Sequence, residues 1–176
     1  VVVSGKLEAF ETSNVVPSGQ GGKVVSVNVK VGDSVSKGAT LVTLENTTLA
    51  AQVRQAEQSV VQAKSNLDIA RIDYEQAKAN YERGKMLYEQ GAIPQVEFEN
   101  SYEIPYKKAE NNFINIAPAG LESAEAQLAM AQEQYNNAFI KSPIAGVVTA
   151  VNVNPGELAS PGVPSVSVAN INRVVV

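Results

Sequence analysis

Two stretches of the chain, 124 positions apart, repeat one another. Gly22-Lys23-Val24-Val25-Ser26-Val27-Asn28-Val29 is echoed by Gly146-Val147-Val148-Thr149-Ala150-Val151-Asn152-Val153. The echo continues with Gly32 onto Gly156, Ser36 onto Ser160, Gly38 onto Gly162 and Val42 onto Val166. Each copy reads as an alternating apolar strand, a glycine turn, a short strand, a second glycine turn and a third strand. One copy is too small to build a core, and two can bury their valine faces against each other. The roughly one hundred residues between them must therefore leave a small β unit and return to it.

That intervening segment is helical by its spacing. Apolar or small residues fall at Leu49, Val53, Ala56, Val60, Ala63, Leu67, Ala70, Tyr74, Ala77, Tyr81, Gly84 and Tyr88, alternating steps of four and three. This is a heptad seam with one large and one small column, a pattern that suits close antiparallel packing. Asn46, Thr47 and Thr48 are candidate N-caps. At 1.5 Å per residue, residues 49–88 make a rod of roughly 60 Å. Gly91-Ala92-Ile93-Pro94 ends it, with Gly91 as a left-handed C-cap and Pro94 placed to start the next helix.

The return limb, about 95–140, carries one seam over Tyr102, Tyr106, Ala109, Phe113 and Ile116 and a second over Leu121, Ala124, Leu128, Ala131, Tyr135 and Ala138. The two differ in phase by one residue near Ala117-Pro118-Ala119-Gly120. That slip and Pro118 predict a non-helical bulge within about 115–120, facing the region near Leu67. Pro105 adds a possible kink. The outgoing limb has no proline and is expected to run unbroken from about 49 to 89.

Composition narrows the chemistry. The chain has no Cys and no His, so it offers no thiol nucleophile, imidazole base or Cys/His metal site. Lys and Arg number 14 against 18 acidic residues, with no basic block of the kind nucleic acid requires. Glu97, Glu99 and Glu103 resemble a carboxylate cluster, yet no second group completes a site, and they read as a solvated helix face. The six tyrosines sit at heptad positions and read as core. Gly19, Gly21 and Gly22 lack the strand-then-helix context of a phosphate loop and read as a β turn. No apolar run approaches the ~20 residues of a membrane span. Val1-Val2-Val3 and Val174-Val175-Val176 look like strands cut from a longer protein.

The β halves resemble a lipoyl (biotinyl-carrier) domain, most clearly over Gly22–Leu44, with Val31-Gly32-Asp33-Ser34-Val35-Ser36-Lys37-Gly38. The turn that carries the modified lysine in that family reads Asn46-Thr47-Thr48 here. The next lysine, Lys64, lies inside a helix, so no lipoyl or biotinyl cofactor is expected. A lipoyl domain split by a heptad hairpin is similar to the membrane fusion proteins, the periplasmic adaptors of efflux pumps and type I secretion systems. Ile140-Lys141-Ser142-Pro143-Ile144-Ala145-Gly146-Val147-Val148 resembles their re-entry segment, with Ser142 and Ala145 as departures.

The resemblance implies an α+β architecture: a barrel-sandwich hybrid split by an antiparallel helical hairpin, with edge strands of a truncated β-barrel. Its domains would be the start of the barrel at 1–14, lipoyl-like halves at 15–45 and 142–169, the hairpin at 46–141 and a return to the barrel at 170–176. It also implies a non-catalytic adaptor on the extracytoplasmic face of the cytoplasmic membrane, anchored by a segment outside this sequence. The implied partners are an inner-membrane transporter (ABC, resistance-nodulation-division or major-facilitator type), an outer-membrane channel in some systems, and copies of itself in a ring of six. In efflux adaptors the hairpin tip docks through Arg, Leu four residues on and Ser at the eleventh. Arg83 and Leu87 match here, and Pro94 replaces the serine, which leaves a Gram-positive-type adaptor open. An enzyme-associated carrier with a helical insertion and a coiled-coil spacer or adhesin are the alternatives.

Overall fold

The computed structural model describes the backbone of residues 8–175 and the side chains of residues 11–170. Contacts divide the chain into two compact units, 1–51 with 132–176, and 52–131. The barrel assignment for the termini falls in part on residues 1–7 and 176, outside those described.

The first unit consists of two four-stranded sheets. Strands β1 (Glu8–Val15), β8 (Val166–Val175), β6 (Gly146–Val151) and β3 (Ser34–Val35) form one. The other is β5 (Phe139–Lys141), β4 (Thr40–Leu44), β2 (Gly22–Val27) and β7 (Leu158–Ala159). The short middle strand of each repeat pairs with the other repeat, β3 with β6 and β7 with β2. The turns exchange hydrogen bonds in the same reciprocal way. Gly32 N–H donates to Val148 O and Gly156 N–H to Val24 O, both at 2.8 Å. Val24 N–H returns a bond to Glu157 O at 2.8 Å, and Val148 N–H to Asp33 O at 2.9 Å. All these pairs differ by the 124-residue repeat, so the two halves are related by an internal two-fold. Each half thus leaves part of its turn hydrogen bonding to the other, which favours their folding together.

The core follows from the same symmetry. Val24, Val42 and Val148, Val166 are fully buried, with Leu44 and Val168 beside them. Gly146 has no room for a side chain, because a Cβ there would collide with the carbonyl of Ala169.

Helix α1 (Thr47–Glu89) runs 43 residues without interruption, as its lack of proline predicts. Asn46 O accepts the first helical bond, from Ala50, so Asn46 is the N-cap residue by backbone position. The capping side chain is one residue earlier: Glu45 Oε1 accepts the hydroxyl of Thr47 and, at 3.3 Å, its amide. At the other end Ala92 N–H bonds to Leu87 O and Gly91 N–H to Tyr88 O, with Gly91 at φ 72°. This is a Schellman motif. Pro94 serves as N-cap of α2 (Gln95–Phe98) rather than as its first helical residue.

The return limb corrects the predicted bulge. It stays helical through Pro118, and the extra residue is absorbed by an i→i+5 turn at Asn112–Ile116, followed by α4 (Ala117–Asn137). A second such turn, at Glu99–Glu103, precedes α3 (Ile104–Asn111). Each wide turn is closed by the amide of the residue just before a proline: Ile104 N–H to Glu99 O before Pro105, Ala117 N–H to Asn112 O before Pro118. A proline lacks the amide and crowds the carbonyl four residues back, and the wider turn moves that carbonyl aside. The second turn borders a groove of about 610 Å³ whose α1 wall includes Ala63 and Asn66, near Leu67 as expected.

The limbs of the second unit are held by a ladder of rings. Centroids lie 5.2 Å apart for Tyr88–Phe98, 5.6 Å for Phe98–Tyr81, 4.8 Å for Tyr81–Tyr106, 5.8 Å for Tyr106–Tyr74 and 5.4 Å for Tyr74–Phe113. Such pairs add about 0.5–1.5 kcal/mol each beyond the area they bury. Tyr106 donates to Glu110 at 2.9 Å, and this bond, followed by one with Tyr74, raises the phenol well above its usual range.

Candidate docking surface at the hairpin tip

The seam decides which tip side chains are free. Gly84 is buried against Tyr102 of the return limb, which turns Arg83, Met86 and Leu87 off the main contact line. Arg83 and Leu87 are one turn apart on the same strip of α1. The Arg83 guanidinium donates from Nη2 to Asn80 Oδ1 at 2.6 Å, which steadies it while its other donors remain open. Leu87 is 38% exposed, consistent with its expected place at the edge of the seam. Pro94 lies beyond the Gly91 turn in an extended conformation, and its carbonyl accepts from Glu97 and Phe98.

Two apolar residues escaped the sequence reading. Met86 is 54% exposed and Val96 67% exposed. With Leu87 they give the tip three solvated apolar side chains, an arrangement that marks contact surfaces when it is contiguous. The available signal was position: both lie off the heptad seam, where a soluble helix ordinarily carries polar residues. Tyr88 is also less enclosed than a core assignment implies, at 40%, because only Phe98 stacks on it near the turn.

The carboxylates of the return limb behave as a helix surface. Glu99 accepts from Gln95 at 2.7 Å, and Glu103 pairs with Lys107 at 2.7 Å, raising the lysine. Among the described residues no group of three or more His, Cys, Asp or Glu is placed to hold a metal ion. No described helix is long and apolar enough to cross a membrane.

A two-fold β unit opened by a helical hairpin defines a barrel-sandwich hybrid of the kind seen in membrane fusion proteins. The chain belongs to the CzcB-like barrel-sandwich hybrid domain family, whose model matches residues 11–170. Among curated proteins no match is found. Among solved structures it is similar to MacA from Actinobacillus actinomycetemcomitans, with 22% identity and a TM-score of 0.81 over 96% of this chain and 52% of that one. It is also similar to the membrane fusion protein Spr0693 from Streptococcus pneumoniae R6, with 21% identity and a TM-score of 0.64 over 99% of this chain and 65% of that one. ZneB from Cupriavidus metallidurans aligns at 20% identity, TM-score 0.56, over 96% and 65%. The chain thus spans about half the length of the MacA structure. At these identities the likeness is one of fold.

Proposed function

We propose that this chain is the hairpin-bearing part of a non-catalytic adaptor, which couples an inner-membrane transporter to a conduit or to the exterior for efflux or secretion. In this reading residues 15–45 and 142–169 are the lipoyl-like halves, 46–141 the inserted segment, and 1–14 and 170–176 the approaches to a β-barrel. The hairpin within the inserted segment ends with α4 at Asn137, and the segment's last strand, β5 (Phe139–Lys141), returns to the β unit's sheet. The adaptor acts on the extracytoplasmic face of the membrane as a ring of six. Its tip makes the contact with an outer conduit or with like tips, through Leu87 beside Arg83, with Pro94 shaping the turn.

The observation that carries this reading is the solvated Arg83–Leu87 strip, with Met86 and Val96 exposed on the same turn region, in a fold shared with membrane fusion proteins. An apolar anchor next to a directional donor is a common makeup of contact hot spots. Replacing Arg83 by Asp and Leu87 by Ser in the full-length protein is expected to leave the melting temperature nearly unchanged, since such surface changes cost about 0.5 kcal/mol or less. Transport in cells and recovery of the assembled complex should both fall sharply. Normal transport by a stably folded double variant would remove the tip from the mechanism.

A further inference from the structure

The β unit carries a concave site of its own, away from the tip. Its wall comes from the glycine-rich loop between β1 and β2, the exit of β4 into α1 and the last turn of α4. The cavity measures about 310 Å³. That lies at the lower end of small-ligand pockets, which run from about 300 to 1,000 Å³.

The loop that shapes it is fixed by backbone needs. Gly19 and Gly21 adopt φ of 68° and 72°, and a Cβ on Gly21 would strike the carbonyl of Ala159. The floor is apolar, with Leu44 buried and Leu49 half-buried. Gln20, Gln134 and Asn137 are among the residues around it, and their side-chain amides have no hydrogen-bond partner among the described residues. Glu45 is the one ionisable side chain in the wall, exposed at its rim. The Thr47 bonds fall on Oε1 and leave the lone pairs of Oε2 for another donor. Those bonds lower the carboxyl below its ordinary value, so it is charged at neutral pH. Lys23 acts on Glu45 through space but is not part of the wall.

An anionic ligand would meet this carboxylate unpaired, and a purely apolar one would strip water from Glu45 and three amides without replacing it. An apolar body with a positively charged donor head satisfies both halves of the surface. We propose that this cavity binds small organic cations, an ammonium or guanidinium group on a hydrocarbon stem, with the head at Glu45 and the stem against Leu44 and Leu49. The same chemistry is offered by a free amine and by a lysine or arginine side chain of a partner polypeptide. The site stands apart from the hairpin tip, and its test reads no transport.

The test follows the side-chain amide resonances of Gln20, Gln134 and Asn137 in the 176-residue chain by NMR during titration with hexylammonium. Hexanoate and hexanol are the matched anionic and neutral controls. Saturable shifts with hexylammonium alone are expected. Glu45→Gln, which keeps an acceptor for Thr47, should weaken binding by about tenfold, the scale of one charge-assisted bond. Asn137→Asp adds a second carboxylate without touching the cap and should tighten binding several-fold. N-acetyl-lysine-N-methylamide separates the sources: tighter binding than hexylammonium assigns the site to a partner's side chain, weaker binding to a free amine. Equal shifts with hexanol or hexanoate would overturn the proposal, as would unchanged affinity in both variants.

Discussion

Gly84 of α1 lies so close beneath the ring of Tyr102 that a methyl group on Gly84 would enter it. A mid-helix glycine costs about 1 kcal/mol relative to alanine, so packing must outweigh propensity at this point. The contact lets the two limbs approach where the ring ladder crosses from Tyr81 to Tyr88 through Phe98. Tyr102 in turn stacks on Phe98 at 6.4 Å.

Replacing Gly84 by alanine should therefore destabilise the hairpin by about 1–3 kcal/mol, the usual cost of overpacking, despite the better helix propensity. Tyr102→Ala in the Gly84→Ala background should recover part of that loss, because the two residues share one contact. A double-mutant cycle by urea denaturation measures the coupling. Additive effects would mean that Tyr102 can swing aside freely.

The wide turn at Asn112–Ile116 makes a second prediction. It holds one residue more than a regular helix and sits before Pro118. Deleting Ile114, which is 56% exposed, should restore α-helical hydrogen bonding but bring Pro118 against the carbonyl four residues back. The deletion alone should cost about 3 kcal/mol, the penalty of a helix-interior proline. Combined with Pro118→Ala it should return most of that stability. Thermal melts of the three variants decide the matter, and an equal loss in the single and the combined change would mean that the wide turn has another cause.

Much of this architecture was legible because it rests on repetition. The offset between Gly22 and Gly146 located both halves of the β unit, and the four–three spacing from Val53 to Tyr88 located α1. What misled was the nature of the seam slip. Pro118 read as a break, yet a proline can remain in a helix when the turn before it widens, and sequence periodicity counts residues without measuring turns. A parallel signal was present at the first wide turn, where Tyr102 and Tyr106 stand four apart after a step of four from Phe98, instead of three. At the tip, Arg83 and Leu87 came from a family pattern, whereas Met86 and Val96 were marked only by lying off the heptad seam. The cavity at Glu45 was illegible, since its wall joins residues far apart in the chain.

Acid titration gives the third prediction. Glu157 accepts from the backbone and side-chain amides of Asn154, and Glu45 accepts from Thr47. These bonds lower both carboxyls below their ordinary value of 4.5. A lowered folded-state pKa means stabilisation that is present above the ordinary value and lost as pH falls through the folded one. Glu45→Gln with Glu157→Gln should therefore be less stable than the parent near neutral pH, and the difference should shrink as pH falls below about 4. Denaturant midpoints measured from pH 7 to 3 check it. Parallel curves would show that the two caps do not titrate with folding.

Two buried serines supply a final, matched prediction. Ser142 is 2% exposed and donates its hydroxyl to Ile144 O at 2.6 Å. Ser165 is fully buried, and its hydroxyl has no hydrogen-bond partner. The repeat explains the contrast. Ser165 occupies the position that Leu41 holds in the first half, a fully buried core site whose neighbours are apolar. An unpaired hydroxyl there keeps the cost of its lost hydration, whereas the Ser142 hydroxyl recovers that cost in a short bond. Ser165→Ala should stabilise the protein by about 1 kcal/mol, seen as a higher urea midpoint at unchanged m value. Ser142→Ala should do the opposite by a similar amount, because it leaves the carbonyl of Ile144 without its donor. The two substitutions delete the same atom from equally buried sites, so a common sign would show that cavity formation, and not hydrogen bonding, governs polar groups in this core.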